Sequence, residues 1–127
     1  GPRGFEFLGF MHHWSLSHRK RWVVKRKTAS SRLTRSVHRA YLWCRDHRHR
    51  PVRWQHQKLA QKLRGHYSYY GITGNIRSLE RCHRLVHRAW RKWLDRRSQK
   101  AKMSWEKFNR LLKRYPLPRP RIVHRYT

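Results

Sequence analysis

The sequence predicts a mainly α protein. A three-helix bundle is preceded by a β-hairpin and followed by a short helix and an extended proline-rich tail. Three observations predict this. Apolar residues recur at helical spacing through the middle of the chain, most regularly from Ile76 to Trp93. Pro51, Gly71 and Gly74 punctuate that region where helices should stop and start. An alternating aromatic run opens the chain, and Pro116, Pro118 and Pro120 exclude a helix near its end. The expected divisions are a hairpin over residues 1–28 and a helical bundle over 29–97. A basic joint, short helix and tail follow over 98–127.

The opening segment, "FEFLGFMHHW" (Phe5–Trp14), alternates Phe5, Phe7 and Gly9 against Leu8 and Phe10, which reads as a strand. Ser15–Arg19 is polar and could turn the chain. "KRWVVKRKT" (Lys20–Thr28) carries β-forming residues and pairs with it as a hairpin. A first helix should begin near Ser30 or Ser31, either of which can cap it. Leu33, Val37, Ala40, Tyr41 and Cys44 form its apolar face, with Arg32, Arg35 and Arg39 on a neighbouring stripe. It should fail around His47–Arg50, because Pro51 disfavours helical geometry in the residue before it.

Pro51 suits the start of a second helix. Val52, Leu59, Leu63, Tyr67 and Tyr70 should carry its buried face. Gly65, inside it, should let another backbone approach closely, and Gly71 should end it. Tyr67 and Tyr70 are expected to be mostly packed and Tyr69 more exposed. Asn75 is a candidate N-cap for a third helix. There Ile76, Leu79, His83, Val86, Trp90 and Trp93 make a heptad-like seam, and Arg77, Arg81, Arg84, Arg88 and Arg91 run beside it at the same spacing. One helix thus presents an apolar seam and an arginine ridge. Ser104 should cap a fourth helix that ends before Pro116, with Met103 and Phe108 placed for a hydrophobic staple.

Charge narrows the function. Thirty-four Lys+Arg oppose five Asp+Glu in 127 residues, a net +29. Self-repulsion at that charge works against a compact state unless a polyanion compensates it. Arg outnumbers Lys by 24 to 10. Its planar fork suits phosphate and stacks on bases. Seven Trp, six Tyr and four Phe are interleaved with these cations, which favours a folded nucleic-acid binder over a disordered tail. Only 37% of residues are hydrophobic, so the core should be modest and stability should draw in part on the bound partner.

Other chemistries fit less well. Glu6, Asp46, Glu80, Asp95 and Glu106 are scattered among cations, which suits ion pairing better than two-metal catalysis. Cys44 with His47 and His49, and Cys82 with His83 and His87, lack familiar zinc spacing. Cys44 reads as a small core residue and His83 as part of the third helix's seam. His12 and His13 are adjacent in a strand and face opposite ways, which makes a general acid–base pair awkward. No disulfide framework or signal peptide is visible, so a reducing compartment is expected, with no secretion. No apolar run reaches the roughly 18–20 residues that span a bilayer, and no membrane partner is expected.

Specific strings go further. "FEFLGF" (Phe5–Phe10) resembles the last conserved block of the reverse-transcriptase domain in group II intron-encoded proteins. "KLRGHYSYYGITGN" (Lys62–Asn75) resembles the centre of that family's maturase-specific region. "WRKWLDRRSQ" (Trp90–Gln99) and "MSWEKFNRLLKRYPLPRPRIVH" (Met103–His124) resemble its continuation. The similarity runs in the same order over most of the chain.

The resemblance implies the end of a polymerase palm followed by the thumb, or domain X, a three-helix bundle. In the family this region grips the template–primer duplex and helps intron RNA fold for splicing. It implies structured group II intron RNA and an RNA–DNA duplex as partners, together with the fingers and palm of the same parent protein. It also implies a bacterial cytoplasmic or organellar setting. The family's paired-aspartate polymerase segment is not in this sequence, so the chain alone should not synthesise DNA. No cofactor is expected in it, since Mg would belong to that polymerase part. A Cys-pair nuclease motif is also absent, as in nuclease-free members.

The candidate RNA contacts are the basic cluster Lys25, Arg26 and Lys27, and Arg32, Arg35 and Arg39 on the first helix. Arg64, His66 and Tyr69 are candidates on the second. Arg77, Arg81, Arg84, Arg88, Arg91 and Lys92 are candidates on the third. Arg96, Arg97, Lys100 and Lys102 complete the set in the joint. No catalytic or metal residue is expected. The alternative is a structural or chaperone-like RNA binder, similar to a ribosomal protein, with no polymerase parent.

Overall fold

Helix formation begins earlier than the apolar pattern predicts. A computed structural model describes residues 18–124, with side chains described from Ser31 onward. These residues form four helices: α1 (His18–Asp46), α2 (Val52–Tyr70), α3 (Ile76–Asp95) and α4 (Trp105–Arg114). The protein is mainly helical, and no strand occurs among the described residues. Lys20–Thr28, expected as the second strand of a hairpin, lies within α1. The expected helix start at Ser30 or Ser31 is likewise displaced to His18. Lys20, Arg21, Lys25, Arg26, Lys27 and Ala29 are good helix formers that outnumber Val23, Val24 and Thr28. Extending an existing helix adds one hydrogen bond per residue with no second nucleation cost. The proposed first strand, Phe5–Trp14, and the His12–His13 pair lie outside the described residues.

Contacts divide the chain into two compact units, residues 1–38 and residues 39–127. In the first, Leu33 is buried. The second holds the end of α1 and the whole of α2, α3 and α4.

The core of that unit is built around α3. Leu79, Cys82, Val86, Ala89, Trp90 and Leu94 are buried along one face. The seam is therefore shifted from the expected one: Cys82, Ala89 and Leu94 join it, while Ile76, His83 and Trp93 are only half-buried. From α2 come Leu59, Ala60, Leu63 and Tyr67, together with one buried polar residue, Gln55. Val52 and Tyr70, expected in that face, are half-buried. Tyr69 is 52% exposed, so the three tyrosines divide as their spacing predicts. The end of α1 contributes Cys44, fully buried, and Tyr41, whose ring meets Trp93 edge-on with centroids 5.5 Å apart.

The turns follow the residues that make them. α1 ends at Asp46 and Pro51 flanks the start of α2. Gly71 closes α2, its N–H donating to Tyr67 O at 2.7 Å. Gly74, at φ 97°, takes the left-handed conformation that favours glycine. Asn75 does occupy the N-cap position of α3, but its side chain does not cap. Nδ2 donates instead to Tyr70 O at 2.9 Å, bracing the turn from α2. Ser104 caps α4 by accepting from Lys107 N at 3.1 Å, and Met103 and Phe108 are both buried, as a hydrophobic staple requires. Phe108 seats α4 on α3, its ring edge-on to Trp90 at 5.7 Å.

After α4 the chain folds back along α2. His56 Nε2 hydrogen-bonds Pro116 O at 2.7 Å, and Tyr67 OH donates to Pro118 O at 2.9 Å. Leu117 between them is buried. Val123 N and His124 N both donate to Gly71 O, and Thr73 N donates to His124 O. The close-approach glycine is thus Gly71, not Gly65. A Cβ at Gly65 would meet nothing within 4 Å, whereas at Gly71 it would strike Tyr67 O, Arg121 O at 2.8 Å and Val123 Cγ2 at 2.9 Å.

Candidate nucleic-acid interface

An α-helix advances 100° per residue, so positions at +4, +3 and +4 share one face. Arg77, Arg81, Arg84 and Arg88 obey that spacing and are all exposed on α3. They stand opposite the Leu79–Val86–Trp90 face, so the sequence adjacency of seam and ridge becomes a division between core and solvent. Burial of the apolar face fixes the rotation of α3, and that rotation holds the four guanidinium groups outward. Eleven residues separate Arg77 from Arg88, a rise of about 17 Å.

The fifth residue of the expected ridge behaves differently. Arg91 is half-buried. Its Nη1 donates to Met103 O at 2.6 Å, and its guanidinium carbon lies 4.6 Å from the centroid of the Trp105 ring. Lys92 is likewise engaged. Nζ donates to Tyr41 OH at 2.7 Å and lies over the Tyr41 and Trp93 rings. Arg97 is a latch: Nε donates to Arg48 O at 2.8 Å and Nη2 to Arg50 O at 2.9 Å. These three cations tie α3 to its neighbours, and their donors are partly committed to the protein itself.

The remaining candidates divide by environment. Arg39, Arg64, Arg96, Lys100 and Lys102 are exposed. Arg35 is exposed and Arg32 half-buried on α1. Lys25, Arg26 and Lys27 lie on α1, in the stretch whose side chains are not described. His66 is half-buried against Tyr70, with ring centroids 4.8 Å apart, and burial lowers its pKa below the ordinary 6.5. At neutral pH it offers a hydrogen-bonding ring rather than a cation.

Acidic groups do little to offset this field. Asp46 pairs with Arg45 at 2.9 Å and Glu106 with Arg110 at 3.6 Å, both on exposed surface where such pairs count for little. Asp95, expected in an ion pair, instead accepts from Met103 N at 2.6 Å. Cys44 and Cys82 are buried free thiols, each pushed up to about 12 by burial, so both stay protonated. No group of three or more His, Cys, Asp or Glu placed to hold a metal ion occurs among the described residues.

Sequence reasoning missed a second cluster of cations and rings where α1 meets α2. The Trp43 and Trp54 rings stack at 5.7 Å and 15°, with His47 against Trp43 at 4.6 Å. Arg50 lies 4.3 Å over Trp54, and Lys62 lies 5.5 Å from the Trp43 centroid. Trp43 and Trp54 sit on different helices, so no single period connects them. Beneath them Gln55, 1% exposed, donates from Nε2 to Arg50 O at 2.7 Å and to Arg48 O at 3.3 Å. Its Oε1 accepts from Trp90 Nε1 at 3.0 Å. Arg48 Nε returns a bond to Arg96 O at 3.2 Å.

Comparisons with protein-family models, with characterised proteins and with solved structures find no match to this chain. No described helix is long and apolar enough to cross a membrane.

Proposed function

We propose that this chain is the RNA-binding thumb/maturase region of a group II intron reverse transcriptase. In this reading α2, α3 and the end of α1 from Arg39 onward belong to the thumb bundle. Its partners are structured intron RNA, the template–primer duplex, and the fingers and palm of the same parent protein, in a bacterial cytoplasm or an organelle. The observation that carries it is the row Arg77, Arg81, Arg84 and Arg88, held outward on the helix whose other face anchors the core. Guanidinium groups spaced along about 17 Å of a rigid helix suit the phosphates of a rod-like polyanion. The motif resemblance supplies the family, and the charge of +29 supplies the class of partner.

The mechanism is electrostatic and geometric. Arginines replace counterions on the RNA, and release of those ions drives association. Core packing fixes their register and selects RNA conformations whose phosphates match it. No covalent step is assigned to this chain.

A binding titration across salt tests this, comparing a folded group II intron RNA with an unrelated structured RNA of equal length. The expected slope of log K against log salt is about −3.6 or steeper, since the four ridge contacts contribute about 0.9 each. Preference for the intron RNA by roughly 10-fold or more at about 200 mM salt supports maturase recognition within this chain. Equal affinity for both RNAs removes that recognition and leaves only phosphate grip.

A further inference from the structure

Trp105 is 48% exposed, although it is a large aromatic ring at the first position of α4. Its environment is built. One contact is the Arg91 guanidinium at 4.6 Å, itself anchored on Met103 O. Another is Phe108, edge-on at 5.9 Å and completely buried. The ring is therefore held in place while half of its surface remains in water. Trp54 differs, since it stacks on Trp43 and carries Arg50 at 4.3 Å, and Trp43, Trp54, Trp90 and Trp93 are all half-buried or buried.

Its surroundings are cationic. Arg88 lies one turn before Arg91 on α3 and is exposed, as are Lys102 and Lys107. Lys107 Nζ donates to the Lys102 backbone carbonyl at 3.2 Å, which holds the Lys107 ammonium beside the start of α4. An aromatic face backed by a guanidinium, with exposed cations close by in the chain, suits an unpaired nucleobase with its phosphate. A hydrophobic peptide would have to leave these cations uncompensated.

Resting on the RNA-binding reading above, we propose that Trp105 is a stacking platform for an unpaired nucleobase where a duplex held along the Arg77–Arg88 row gives way to single strand. Arg91 is a positioning residue that holds the ring. Arg88, Lys102 and Lys107 take the phosphates of the unpaired strand. The ligand class is a duplex with a single-stranded extension or bulge.

The test uses the full chain, a blunt RNA duplex, and the same duplex with a short unpaired extension bearing 2-aminopurine at its first position. The extension should tighten binding roughly 5- to 100-fold, the range that one stacked base supplies. The 2-aminopurine fluorescence should be quenched on binding. Trp105→Ala should abolish both effects and leave blunt-duplex affinity unchanged, while Trp105→Phe should keep part of each. If Trp105→Ala fails to fold, which circular dichroism would reveal, Trp105→Phe and Trp105→His supply the comparison, and unchanged quenching and preference in both would overturn the platform.

Salt-dependent binding of both RNAs with equal affinity and no quenching overturns the platform and leaves the RNA-binding reading standing. Retention of the preference in Trp105→Ala also overturns it and assigns the exposed ring to another partner, such as a protein. Failure of both RNAs to bind overturns the platform and the RNA-binding reading together.

Discussion

Two basic regions of this molecule use the same residue types for opposite ends. At the α1–α2 corner, Arg48 and Arg97 donate to backbone carbonyls, Arg50 lies over Trp54, and Lys62 lies near Trp43. On α3, Arg77, Arg81, Arg84 and Arg88 face solvent. The corner converts cations into internal cement, because guanidinium donors satisfy the carbonyls left open at the end of α1 and in the loop after it. The α3 row leaves its cations available to a partner. Cation count is therefore a poor guide to interface size in a chain this basic. Arg88 and Arg91, three residues apart on one helix, fall on opposite sides of that division.

The sharpest way to break the comparison is at the corner. Gln55→Ala removes three hydrogen bonds and strands the Trp90 indole N–H inside the core. It should cost about 1–3 kcal/mol in urea unfolding, the range for orphaned buried polar groups. The folded fraction should keep its RNA affinity and salt slope. A loss below about 0.5 kcal/mol would show that the corner is not cemented as described.

Gly71→Ala should come next. A methyl group there meets backbone of both α2 and the returning tail. An expected loss of about 1–3 kcal/mol should be accompanied by faster amide exchange at Val123 and His124, whose N–H groups donate to Gly71 O. Gly65→Ala should instead stabilise by up to about 1 kcal/mol, since it adds helix propensity in open space.

On the open row the effects reverse in kind. Arg84→Ala should change stability by less than about 0.5 kcal/mol while lowering the salt slope by about one unit. Arg97→Ala should do the opposite, destabilising the fold with little change in slope. If both substitutions moved the slope equally, the two regions would form one interface and the distinction would fail.

The effect that is smallest at neutral pH, and that appears only on acidification, comes from a histidine pair. His83 is pushed down to about 4, chiefly by burial and secondarily by the neighbouring His87, whose own pKa is also lowered by burial. The unfolded chain therefore binds more protons than the folded one between pH 6.5 and about 4. Stability should be fully present above pH 6.5 and should fall as pH drops through that window. His83→Asn should flatten the decline in a series of thermal melts. An unchanged decline would assign the effect to other groups.

The particular elements explain what could be read in advance. The two ends of α2 and the start of α4 were legible because Pro51, Gly71 and Ser104 act through their own backbone or cap chemistry, and Asn75 marks the start of α3 although its side chain braces the turn before it. The α3 row was legible because helical spacing alone places its arginines on one face. The start of α1 was not, because Trp22, Val23 and Val24 suit a strand or a helix and the deciding term is continuity with the helix downstream. The fates of Arg91, Lys92 and Arg97 were not legible either. Their partners, Met103 O, Tyr41 OH, Arg48 O and Arg50 O, lie 12 to 51 residues away.

The helical class, most helix ends, the excess of positive charge and the α3 arginine row follow from local backbone preference, composition or period alone. Which cations remain open to solvent, which glycine the tail presses against, and why Trp105 stays exposed on a guanidinium are set by long-range packing. Those outcomes depend on carbonyls and rings from distant segments meeting in space, and a one-dimensional pattern carries no record of such meetings.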